Sequence, residues 1–167
     1  RVLFRSAVRP LNVYGESKAE SERMILSANP EAMIVRTSSF FGPWDPYNFV
    51  TQTLRRVVRQ APVHALSDVR VSPTYVPDLV HTALDLLIDG EQGIVHLANQ
   101  GEVTWSDWAR SVVRVAAKGP LGARADEALV VDKNLADFGL RAARPRNSVL
   151  TSERVKLMPQ LDDAGRS

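Results

Sequence analysis

Apolar and polar positions along the chain alternate between short hydrophobic runs and longer amphipathic stretches. Residues 10–12 read as a loop and residues 14–28 as a helix, with Ala19, Met24, Ile25 and Leu26 as its apolar positions and Glu16, Glu20, Glu22 and Arg23 among its polar ones. Asn29-Pro30 ends that helix, because proline disfavours helical geometry at the residue before it. Ala32-Met33-Ile34-Val35 is almost wholly apolar, the pattern of a strand buried on both faces. It opens into Arg36-Thr37-Ser38-Ser39 and a loop punctuated by Gly42-Pro43 and Asp45-Pro46. Residues 49–60 predict a helix whose stripe is Phe49, Val50, Leu54, Val57 and Val58.

Short β-like pieces follow at 63–66 and 69–71, then a helix at 77–88 with Pro77 at a tolerated early position and Gly90 beyond its end. Gly93-Ile94-Val95-His96-Leu97 reads as a strand, and residues 104–117 as a helix capped by Thr104 or Ser106 and stopped by Gly119-Pro120. Leu129-Val130-Val131 is a last strand before a polar tail. Helices alternating with short apolar strands predict an α/β fold.

Composition narrows the function classes. The 167 residues include no cysteine, which removes disulfides and thiolate chemistry, and no apolar run approaches the ~20 residues of a membrane-spanning helix. With no signal-like leader, a cytoplasmic protein is expected. Arg1-Val2-Leu3-Phe4-Arg5-Ser6 reads as the in-frame translation of a sequencing-adapter oligonucleotide and is not expected to be part of the fold. The formal net charge is +2, and setting aside Arg1 and Arg5 leaves zero, so the charge balance gives no reason to expect a nucleic-acid partner. No glycine-rich strand-to-helix turn occurs among the 9 glycines, so the chain supplies no pyrophosphate cradle of the dinucleotide-binding kind.

The sharpest chemical signal is Tyr14-Gly15-Glu16-Ser17-Lys18, a tyrosine and a lysine one helical turn apart on one face. A phenol, with a reference pKa near ~10, is a poor proton donor around neutrality, and an ammonium beside it stabilises the phenolate form. That pairing suits general acid–base work. The same spacing also fits a solvated helix face. His64, His81 and His96 lack ligand spacing, so no metal site is expected. His96 reads as a hydrogen-bonded core histidine, Trp105 and Trp108 as core packing, and Arg144-Pro145-Arg146 as a surface loop; Asp162-Asp163 has no partner for a metal.

Pro10-Leu11-Asn12-Val13-Tyr14-Gly15-Glu16-Ser17-Lys18-Ala19-Glu20-Ser21-Glu22 closely resembles the active-site segment of extended short-chain dehydrogenases, and more narrowly of the dTDP-4-dehydrorhamnose reductase family. Ile34-Val35-Arg36-Thr37-Ser38, Phe41-Gly42-Pro43, Asn48-Phe49, Ser72-Pro73-Thr74-Tyr75-Val76, Asp78-Leu79, Gly93-Ile94-Val95-His96-Leu97 and Arg144-Pro145-Arg146-Asn147-Ser148 fall in that family's order. The resemblance implies a proton donor at Tyr14, with Lys18 supporting it and holding the nicotinamide ribose of NADPH or NADH. It places Arg36 and Thr37 near the cofactor, and Ser38, Ser39, Trp44, Asn48, Phe49, Arg70, Ser72 and Thr74 near a nucleotide-sugar substrate.

Rhamnose-forming members often carry tryptophan where Ser39 stands. Trp44 either faces the same pocket by another route or packs its loop onto the body, and the particular sugar is left open. By this resemblance residues 7–160 are the C-terminal part of a Rossmann-like reductase with its substrate-binding region, the glycine-rich N-terminal half being absent, and residues 161–167 are a tail. A homodimer of the full-length protein is compatible with it. Two other functions remain open: a non-catalytic subunit resembling the regulatory subunit of methionine adenosyltransferase, and an epimerase or dehydratase on a related sugar nucleotide.

Overall fold

A computed structural model of the chain describes residues 8–151; the leading segment 1–6, the 161–167 tail and Asp162-Asp163 lie outside the described residues. The first helix, α1 (Val13–Ala28), begins one residue earlier than its periodicity indicates, because Asn12 caps it: the Asn12 side chain accepts from the Gly15 N–H. Glu16 in the first turn complements the positive end of the helix dipole. After the Asn29–Ala32 turn comes β1 (Met33–Arg36), which pairs in parallel with β6 (Gly93–His96).

Alternation along β1 sends Met33 and Val35 to one face, where with Val95 and Leu97 they pack against Leu79, Ala83 and Leu86 of α3 (Val76–Ile88). Ile34 and Arg36 take the other face, where Arg36 meets Glu22 of α1. α3 thus covers one face of the strand pair, and α1 reaches the other through the Glu22–Arg36 contact. Two expectations are corrected here. All four β1 residues are half-buried rather than buried on both faces, since among the described residues β1 has a ladder with β6 alone. On α1, Met24 and Ile25 are exposed; Ala19 and Leu26 are the half-buried apolar positions.

The main core lies in the second half. Here β3 (Val63–Leu66) pairs in parallel with β8 (Val130–Lys133), beneath α2 (Phe49–Val58) and α4 (Trp105–Ala117). Val57, Val63, Ala65, Ala109, Val113, Ala125 and Val130 form its buried centre. Thr104, not Ser106, caps α4, accepting from the Asp107 N–H at 3.0 Å; Ser106 is buried and donates to the Ala65 carbonyl at 2.9 Å. Trp105 and Trp108 join Phe49 in an aromatic cluster with ring centroids 4.7–5.3 Å apart, so both tryptophans are core packing as expected.

Five two-residue strands complete the connections among the described residues. β2 (Phe40–Phe41) pairs in parallel with β5 (Thr74–Tyr75), while β4 (Arg70–Val71) lies between β7 (Val103–Thr104), antiparallel, and β9 (Asn147–Ser148), parallel. Among the described residues no helix is long and apolar enough to cross a membrane.

Candidate active site

Tyr14, Lys18 and Glu22 are four residues apart in succession and share one face of α1. That face is fixed in space by Glu22, whose carboxylate takes a two-pronged grip on Arg36, with Nε and one terminal nitrogen donating at 2.8 and 2.5 Å. Arg36 is the last residue of β1, and the tight Asn29–Ala32 turn makes α1 and β1 run in opposite directions. At 1.5 Å per residue, Lys18 stands roughly 6 Å and Tyr14 roughly 12 Å further along α1 from the level of Arg36. Both therefore lie beyond the carboxyl end of β1, the end at which ligands bind in open α/β sheets.

The Lys18 ammonium sits 5.6 Å from the centroid of the Tyr14 ring, and the tyrosine is 68% exposed. Beyond Arg36 the chain places Thr37, whose Oγ1 is buried with no hydrogen-bond partner among the described residues. Ser38 is buried and donates to the Ser148 carbonyl at 2.6 Å. The backbone then turns through the left-handed region at Ser39, φ 40°, an uncommon conformation outside glycine and asparagine, and the Ser39 carbonyl accepts from the Thr74 N–H.

A strap formed by residues 143–150 ties the candidates together. Its Ala143 carbonyl accepts from the Asn12 side chain at 2.7 Å, its Ser148 carbonyl from Ser38, and its Arg146 carbonyl from the Arg70 N–H. Further along, the Ser72 hydroxyl accepts from the Leu150 N–H at 3.3 Å while donating to the Gly101 carbonyl at 3.0 Å. The start of α1, the end of β1 and the β4 segment are thus fastened to one stretch of chain.

Other sequence-predicted residues have definite structural engagements. Asn48 is buried, caps α2 by accepting from the Thr51 N–H, and commits its amide to the Gly42 and Asp45 carbonyls. Phe49 lies in the aromatic cluster. The Arg70 guanidinium pairs with Glu102, and the fully buried Thr74 hydroxyl donates to the Ser72 carbonyl. Trp44 is 77% exposed and so does not pack its loop onto the body. Arg144 is exposed, and Arg146 forms a 3.6 Å ion pair with Asp68. Asn12 and Glu22 were not singled out by motif reading; the cap position of Asn12 and the i, i+4, i+8 series of Glu22 were the available signals.

Charge and burial meet at the end of β1. The Arg36 guanidinium hydrogen-bonded to Glu22 holds that carboxyl below its usual range, against the opposing effect of burial. His96 is the register partner of Arg36 on β6. Burial, and then the Arg36 charge, push its imidazole below the ordinary histidine value. Both groups have folded pKa values below their unfolded ones, so the unfolded chain binds more protons in acid. Their contributions to stability are complete above the unfolded values and are lost as pH falls through the folded ones. Denaturant midpoints should accordingly decline from neutrality towards pH ~4, first through the histidine range and then the carboxylate range. In Glu22→Gln the decline across the carboxylate range should be shallower; an unchanged profile would remove Glu22 from this linkage.

The residues fit the nicotinamide end of a dinucleotide. A lysine and a tyrosine stand at the carboxyl edge of a parallel pair, and the orphaned Thr37 hydroxyl sits at the same edge, a group whose burial without a partner costs about 1–3 kcal/mol. Among the described residues no group of three or more His, Asp or Glu could hold a metal ion.

Layering, parallel pairing and a Tyr/Lys helix at the carboxyl edge define a Rossmann-like α/β protein. The chain belongs to the RmlD substrate binding domain family, whose profile matches residues 4–162. It is similar to the dTDP-4-dehydrorhamnose reductase of Aggregatibacter actinomycetemcomitans, with 32% identity over 89% of this chain and 52% of that protein. A reductase of the same name from Mycolicibacterium smegmatis is 34% identical over 66% of this chain and 34% of its own length. Among solved structures, the dTDP-4-dehydrorhamnose reductase of Bacillus anthracis in complex with NADP superposes with a TM-score of 0.78 at 28% identity, covering 92% of this chain and 51% of that one. The chain thus spans about half the length of relatives that it matches nearly end to end.

Proposed function

We propose that this chain is the C-terminal, substrate-binding half of an NAD(P)H-dependent reductase acting on a nucleotide-linked 4-keto-6-deoxy sugar, dTDP-4-dehydro-L-rhamnose being the leading substrate. The observation that carries this reading is the placement of Tyr14 and Lys18 on the α1 face docked at the carboxyl end of β1. The nicotinamide, when bound, supplies hydride to the carbonyl carbon. The Tyr14 hydroxyl donates its proton to the carbonyl oxygen, leaving a phenolate that the Lys18 ammonium stabilises. Lys18 also donates to the ribose hydroxyls, and Thr37 offers its unpaired hydroxyl at the same edge. The exposure of Tyr14 gives the phenolate a route to a proton from water for the next turnover. Ser39, in place of the tryptophan of many rhamnose-forming members, bears on which keto sugar fits. The pyrophosphate falls to a glycine-rich half that this sequence does not contain.

Calorimetric titration with NADPH tests this division of labour. The complete reductase polypeptide should bind, and Lys18→Ala within it should weaken binding about tenfold, the scale of one hydrogen bond from a charged donor. The 167-residue chain alone should give no heat beyond dilution. Binding indifferent to Lys18→Ala would remove the lysine from the cofactor site, and tight binding by the chain alone would contradict the proposed split.

A further inference from the structure

We propose that Glu22 and Arg36 are positioning residues for the Tyr14–Lys18 pair, their two-pronged ion pair setting the rotation and height of α1 over the end of β1. The inference rests on the reductase reading and deepens it: Arg36 acts on the reaction through Glu22 and α1, not by holding the nicotinamide.

Among the described residues, little else holds α1. None of its residues is buried, and its apolar contribution to packing comes from the half-buried Ala19 and Leu26. A helix docked by a broad apolar stripe has its rotation fixed by side-chain interdigitation. A helix without one needs directional contacts. α1 has two of them. At its start, Asn12 receives the Gly15 N–H at 2.8 Å and donates to the strap carbonyl of Ala143 at 2.7 Å. Ten residues later, Glu22 grips Arg36, and the two side chains are only 20% and 22% exposed.

Tyr14 and Lys18 lie between these anchors, on the Glu22 face. A two-pronged guanidinium–carboxylate contact fixes orientation as well as distance, because both nitrogens must meet both oxygens in one plane. Rotating α1 by one residue's worth, about 100°, would break that contact and swing Tyr14 off the carboxyl edge. The Arg36 guanidinium is meanwhile engaged: two of its nitrogens donate to Glu22. Burial makes the arrangement all-or-none, since removing one partner leaves the other charge half-buried and uncompensated.

A double-mutant cycle in the complete reductase separates positioning from direct binding. Glu22→Gln and Arg36→Gln should each lower kcat between about tenfold and a hundredfold, the penalty of ångström-scale misplacement of Tyr14, with any rise in KM for NADPH, caused by Lys18 shifting with it, the same in both. The double variant should be no worse than the poorer single one, because both remove the same contact. A raised NADPH KM in Arg36→Gln but not in Glu22→Gln, or losses that multiply in the double variant, would overturn the proposal. If either glutamine variant fails to fold, Glu22→Asp and Arg36→Lys keep the charges while losing the two-pronged geometry, and the same pattern should appear at smaller amplitude. A wild-type enzyme with no turnover would instead refute the reductase reading. The positioning claim is then read from hydrogen exchange in the 167-residue chain: amides of the first two turns of α1 should exchange faster in Glu22→Gln, and unchanged exchange would overturn it.

Discussion

If the proposed function holds, replacing Tyr14 by phenylalanine in the full-length polypeptide is expected to lower kcat by about 10³-fold while leaving KM for both substrates within a few-fold, since a positioned general acid contributes 10²–10⁴-fold. The change deletes one oxygen from a side chain that is 68% exposed, so stability should not move measurably and the kinetic loss reads the chemistry alone. The loss should fall on kcat and kcat/KM together, the pattern of an interaction made in the transition state and not in the ground state. Steady-state rates with the keto sugar and NADPH check it. A Tyr14→Phe enzyme within threefold of wild type would show that the proton comes from elsewhere.

The largest structural effect is expected at Trp108. It is 7% exposed and packs edge-on against Phe41 at 5.4 Å and at a tilt against Phe49 at 5.0 Å and Trp105 at 5.3 Å. The cluster joins α2 to α4 and, through Phe41 and Tyr75, to the β2–β5 pair. Trp108→Ala deletes one of the two tryptophans of the cluster, the one that touches Phe41, Phe49 and Trp105 alike. The expected cost is about 3–5 kcal/mol of unfolding free energy, measurable as a shift in denaturant midpoint. A loss under ~1 kcal/mol would mean that the cluster relaxes around the hole and is not a structural hub.

These two residues mark how far the sequence could be read. Helix periodicity located α1, α2, α3 and α4 within a residue or two at their starts, and Trp105 and Trp108 were legible as core because they fall on the apolar face of α4. The two-residue strands β2, β5, β7 and β9 were not, because two residues carry no period; their pairing is imposed by the chain around them. Met24 and Ile25 were misread because composition marks a residue as apolar without saying which face of α1 meets the sheet.

At the candidate site, the Tyr14–Lys18 pair was visible as a spacing, and the family resemblance gave it a role. What holds the pair in place was not visible. The contacts that do so join positions 14, 110 and 131 residues apart: Glu22 to Arg36, Ser38 to Ser148 and Asn12 to Ala143. No local pattern encodes such pairs. The polar residues of the Ser72-Pro73-Thr74 segment illustrate the same limit. Resemblance places them near the substrate, while the fold buries both hydroxyls and spends them on backbone carbonyls.

The central claim is that this α/β unit presents Tyr14 to the carbonyl of a nucleotide-linked keto sugar. It is tested most directly by giving the complete polypeptide dTDP-4-dehydro-L-rhamnose and NADPH, following NADPH absorbance and identifying the sugar formed. One NADPH should be consumed for each dTDP-linked 6-deoxy sugar carrying a new hydroxyl at carbon 4. Conversion of the sugar with no net NADPH consumption, as an epimerase or dehydratase would give, or no conversion at all, would contradict it.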